Sequence, residues 1–273
     1  MTTTVPVTAG TLAAEGGRLY YEVRGSGPLL VIVGNPMHSA PFAPLAELMA
    51  ADHTVLTTDP RGHFGSALAD ADTVTVPEQR AEDLAALIRH VDAGPAVVFG
   101  SSGGAITTTA LLQAHPDLVH TAVLHEPPLV QLLDDPDVQR ATIDDLVATF
   151  AGGDELGAVR KFMRYIGLEL PEDMFLQVFG GEKSQEEAAS EAYFYRNDLP
   201  RTALWRPDTE GLRAVPARIV IGIGDTSAGQ LCDRTSRALG RLLDIEPTAF
   251  PGGHGGFMED PTAFAARLRA ILV

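Results

Sequence analysis

The chain holds one cysteine, Cys232, so it cannot close a disulfide within itself, and nothing in its composition points to an oxidising compartment. Basic residues are scarce: 20 Lys and Arg stand against 36 Asp and Glu, a formal net charge of -16. A surface of that sign repels phosphate backbones and anionic headgroups, so neither nucleic acid nor a membrane is an expected partner. No apolar run approaches the ~20 residues of a membrane span. Residues 1–17 lack the basic start and apolar block of a secretory leader, and a cytoplasmic location is expected. The histidines show no His-x-x-x-His pair on a helix; His115, His120 and His125 are spread over a helix end and a strand, so no metal is expected. A nucleotide is not expected either. Gly222-x-Gly224 lacks its third glycine, with Ser227 in that place, and Asp244 opens a strand instead of ending one. No cofactor is expected, and the chain is expected to act as a monomer or homodimer.

The 273 residues, 45% hydrophobic, suffice for one large domain or a core with an insertion. Arg18–Arg24 alternates as a strand, and Leu29-Leu-Val-Ile-Val33 is the wholly apolar run of a central strand covered on both faces. Strands at Thr54–Thr58, Ala96–Gly100, Val119–Leu124, Arg218–Ile223 and Asp244–Phe250 alternate with amphipathic helices. This spacing predicts an α/β fold: a mostly parallel central sheet with helices on both faces. From Pro127 to about Leu204 the strands stop. Four helical segments follow, the last opening on a Ser184/Glu187 capping box and running to about Asn197. We expect a core of residues 1–126 and 205–273 with a helical cap inserted at 127–204, its aromatics Phe162, Phe175 and Tyr193 lining a chamber over the sheet.

The organising stretch is Gly100-Ser101-Ser102-Gly103-Gly104, which turns a strand into a helix with small residues two places either side of Ser102. That G-x-S-x-G pattern predicts a nucleophile on a strained turn, facing the backbone N–H groups that open the helix. A serine nucleophile needs a histidine to take its proton and a carboxylate to orient that histidine. His254 lies in a glycine-flanked, mobile loop, Pro251-Gly-Gly-His254-Gly-Gly-Phe257. Asp225 follows the strand before it and is the preferred acid in the chain order Ser, Asp, His. Glu126 also ends a strand and is the rival for that role, or otherwise lines the site.

With these segments in place the chain resembles the α/β-hydrolase superfamily in its capped, esterase-like branch. Val33-Gly34-Asn35-Pro36, Asp59-Pro-Arg-Gly-His63-Phe-Gly-Ser66, Gly100–Gly104, Gly222-Ile-Gly-Asp225 and Gly252-Gly-His254-Gly-Gly-Phe257 carry the resemblance. It departs from the family where Val33 replaces a usual histidine and where Phe64 and Gly65 stand exchanged. The resemblance implies an oxyanion hole from the backbone N–H groups of Gly103 and Asn35, since Pro36 has none to give. It implies hydrolysis of a small ester, lactone or thioester through an acyl-enzyme on Ser102. Carbon–carbon bond hydrolysis, a lyase or cyclase step, and a non-catalytic receptor share the same motifs. Met37, His38, Glu126 and Phe257 are the expected substrate-lining residues.

Overall fold

The structure is a computed structural model describing residues 5–272; the first four residues of the amino-terminal stretch read above lie outside it. Eight strands form one sheet: β1 Val7–Ala14, β2 Gly17–Arg24, β3 Leu29–Val33, β4 Thr54–Thr58, β5 Ala96–Ser101, β6 Val119–His125, β7 Arg218–Gly224 and β8 Thr248–Phe250. Their order is β1-β2-β4-β3-β5-β6-β7-β8. Only β2 runs against its neighbours; β3 to β8 are parallel. Helices α1 (Ala43–Met49), α2 (Pro77–Val91) and α3 (Gly103–Ala114) follow β3, β4 and β5. Between β6 and β7 lie α4 (Pro136–Ala151), α5 (Glu155–Tyr165), α6 (Glu172–Phe179), α7 (Gln185–Tyr193), α8 (Leu199–Ala203) and α9 (Thr209–Ala214). The chain closes with α10 (Leu231–Leu243), α11 (Gly256–Glu259) and α12 (Pro261–Leu272).

Alternate side chains of a strand face opposite ways, and β3 divides accordingly. Leu29, Val31 and Val33 join Leu84 and Ile88 of α2, Ile106 and Leu111 of α3 and Leu239 of α10 in one apolar layer. Leu30 and Ile32 join Leu45 and Met49 of α1 and Phe264 and Leu268 of α12 in the other. The helices between β6 and β7 have a third cluster of their own, built on Ile143, Leu146, Phe150, Val159, Phe175, Phe194 and Tyr195. No helix among the described residues is long and apolar enough to cross a membrane.

Three expectations change. β1, not foreseen, is an edge strand whose side chains are mostly exposed, so Val7-Thr-Ala-Gly-Thr-Leu-Ala-Ala14 carries little apolar signal. The last strand is only Thr248–Phe250, because Asp244 adopts φ 57 and ends α10. The helix after β7 begins at Leu231, not at Ser227: Ser227 N–H donates to Gly224 O at 3.1 Å and Gln230 N–H to Ser227 O at 3.0 Å, winding a turn first.

Candidate active site

Ser102 joins β5 to α3 with φ 56 and ψ -126, a region closed to most residues with a Cβ. The glycines around it are required by space. A Cβ on Gly100 would lie 2.5 Å from Gly104 O, and one on Gly104 would collide with the Val33 carbonyl. A Cβ on Gly103 would lie 2.5 Å from Asn35 O, so Gly103 and Asn35 are packed side by side. The Ser102 N–H donates to His125 O at 2.9 Å and ties the turn to β6.

In the sheet Ser101 pairs with His125, and His125 with Gly222, so Ser102 and Glu126 leave at the same edge on neighbouring strands. Glu126 is fully buried and also has a positive φ, 50. One carboxylate oxygen accepts from Gly224 N–H at 2.8 Å; the other meets His254 Nδ1 at 2.6 Å. An ionised carboxylate can only accept, so Nδ1 carries a proton, and in the neutral ring Nε2 carries none. Burial opposes the charge on Glu126, but the hydrogen bond and charge of His254 hold the carboxyl below its usual range. Burial likewise opposes an imidazolium, yet the Cys232 sulfur and the Glu126 carboxylate outweigh it and raise His254 above its usual value. Glu126, Cys232 and His254 each offer a ligand-type atom within 4.8 Å of the others, the one such group among the described residues. Two of the three already hold each other.

His254 thus meets Glu126, the rival, and not Asp225, the preferred acid. Asp225 is exposed, and its Oδ1 accepts Gly252 N–H at 3.0 Å. With Thr226 N–H donating to Gly252 O at 3.2 Å, it clamps the loop that carries His254. Within that loop His254 is 7% exposed. Phe257, expected to line the site, is 2% exposed and stacks on Phe42 at 4.6 Å inside the core. Met37 packs partly buried against the same layer, and His38 stacks on Phe64 at 3.8 Å, its pKa lowered by burial. Phe64, where the family pattern has glycine, takes φ 44. Among the cap aromatics, Phe175 is buried in the helices' own cluster, and Tyr193 OH donates to Thr73 O at 3.0 Å.

Sequence reasoning missed Asp198, the buried partner of Asn35, Arg80 and His63. In the sequence it is one acid among 36 at a helix end, and nothing local marks it as buried.

The sequence profile of the Alpha/beta hydrolase family matches residues 29–267. The uncharacterized hydrolase YraK of Bacillus subtilis (strain 168) is 29% identical, over 96% of this chain and 95% of its own. The zearalenone hydrolase of Bionectria ochroleuca is 30% identical over 54% of this chain and 61% of its own. Among solved structures, an alpha/beta hydrolase from Sphaerobacter thermophilus DSM 20745 superposes with a TM-score of 0.70 at 25% identity, over 96% of this chain and 98% of that one.

Proposed function

Since the chain belongs to the alpha/beta hydrolase family, we propose that it is a serine hydrolase cleaving a small ester, lactone or thioester. The observation that carries this reading is Ser102 held at φ 56 at the end of β5, next to the strand end that holds the buried Glu126–His254 pair. In the proposed cycle His254 Nε2 takes the Ser102 proton as Oγ bonds to the acyl carbon. The carbonyl electrons move to oxygen, where the backbone N–H groups of Asn35 and Gly103 receive the charge. The C–O or C–S bond then breaks, and the leaving alkoxide or thiolate takes the proton from His254. Water, deprotonated by the same ring, bonds to the acyl carbon; the bond to Ser102 Oγ breaks, and Oγ takes the proton from His254 as the acid leaves. Glu126 keeps the ring in its Nδ1–H tautomer and stabilises the imidazolium throughout. The helices at 127–204 act as a cap over this edge.

A fluorophosphonate should label the native protein and not Ser102→Ala, which keeps its fold. Turnover of a nitrophenyl ester should fall by several orders of magnitude in Ser102→Ala and far less in Ser101→Ala. Equal labelling of Ser102→Ala would refute the reading.

A further inference from the structure

A buried polar cluster lies between the elbow and the inserted helices, and acyl transfer as described makes no use of it. Its centre is Asp198, 0% exposed, in a π-helical turn (Phe194–Asp198) that continues α7. Asp198 Oδ2 accepts from Asn35 Nδ2 at 2.8 Å and meets His63 Nε2 at 3.1 Å. Its Oδ1 accepts from Arg80 Nη1 at 2.7 Å and from the Thr202 hydroxyl. His63 Nδ1 in turn meets Ser190 Oγ of α7 at 2.8 Å.

Two lines run from this carboxylate to the elbow. The first is direct, through the side chain of Asn35. The second passes through Arg80, whose Nε donates to Thr107 Oγ1 at 3.3 Å, and Thr107, whose hydroxyl donates to Gly103 O at 3.2 Å. Asn35 Oδ1 is buried with no partner among the described residues, so Asp198 orients the amide: a flipped amide would set Oδ1 against the carboxylate. Burial opposes the charge on Asp198, but Arg80 and His63 hold it far below the usual carboxylate range, so the acceptor is permanent. A helix turn of the insertion thus grips both residues expected to receive the oxyanion.

We propose that Asp198 is a positioning residue that sets the oxyanion hole from the inserted helices, through Asn35 directly and through Arg80 and Thr107 to Gly103. The inference rests on the acyl-transfer reading.

Asn35→Ala cuts the first line while keeping the residue-35 backbone N–H and the Asp198–Arg80 pair. It therefore remains informative if Asp198→Asn fails to fold. Turnover of a nitrophenyl ester is measured per fluorophosphonate-titrated site, with the affinity for a boronic acid that forms a tetrahedral adduct. Asn35→Ala should lower kcat roughly ten- to hundredfold, leave KM within about threefold, and weaken the boronate by the same factor as kcat. Where Asp198→Asn folds, the double variant should be no worse than the poorer single one. Wild-type kcat per site in folded Asn35→Ala overturns the proposal, as does a loss confined to the number of titratable sites. No adduct at Ser102 of the native protein is a different failure, that of the acyl-transfer reading beneath it.

Discussion

Glu126 meets His254 where water does not reach, at 0% and 7% exposure, and a buried charge pair broken on one side leaves the other uncompensated. Glu126→Gln should lower turnover on the order of 10⁴-fold by releasing the ring's tautomer. Asp225→Asn keeps an oxygen for Gly252 N–H and should cost less than about tenfold. Kinetics of the two variants decide between them, and the opposite ranking would return the acid to β7. The pH profile gives an independent check. A base must be unprotonated, and the Glu126 contact raises His254, so activity should rise with pH along a limb lying above 6.5. Removing the Glu126 charge should move that limb to lower pH. The sequence could nominate Ser102 and His254 because each is flagged by its immediate glycines. Chain order ranked Asp225 above Glu126, but which carboxylate meets the ring depends on how three strand ends align and which one is buried there.

At the scale of elements, the inserted helices are joined to the core by a few specific struts as well as by apolar contact. Tyr193, the last residue of α7, is 6% exposed; its hydroxyl donates to Thr73 O at 3.0 Å and touches Thr75 Oγ1. Its ring also fills the space beside Gly62, where a Cβ would collide with it. Tyr193→Phe keeps the ring and strands the Thr73 carbonyl and the Thr75 hydroxyl, so it should cost about 1–2 kcal/mol in stability. Limited proteolysis should show faster cutting of the segment around Asp70–Thr73, and an unchanged cleavage rate would mean that the strut carries no load. The helices themselves were legible from periodicity and caps: Asp154 accepts from Gly157 N–H at 2.9 Å, and Ser184 and Glu187 form the expected box. Their contacts were not. An apolar stripe at helical spacing says that a face is covered, not by what, and Phe175 turned to its own cluster instead of toward Ser102.

For the molecule as a whole, acid stability should be set by His125, in the middle strand of the β5-β6-β7 triplet. Its Nδ1 meets Ser101 Oγ at 3.1 Å, its Nε2 is buried with no partner among the described residues, and Phe99, Phe250 and Phe264 surround the ring at 5.4–5.7 Å. Complete burial lowers its pKa from 6.5 to about 4, against the pull of Glu126 and with the push of His254. The unfolded chain therefore binds this proton first. Stability from His125 is complete above 6.5 and drains away as the pH falls toward 4. The other two groups of the cluster do not act in the upper part of that window. Glu126, lowered from 4.5, loses its contribution only below that pH, and His254, raised, keeps its own in full below 6.5. Between pH 6.5 and 4.5 the native protein should thus lose on the order of 2–3 kcal/mol that a variant without this imidazole keeps. Urea midpoints at pH 7, 5.5 and 4.5 for the native chain and His125→Leu measure this directly. The variant should start lower, having lost the Ser101 contact, and then fall less steeply. Parallel slopes would show that His125 is not the group that acid attacks.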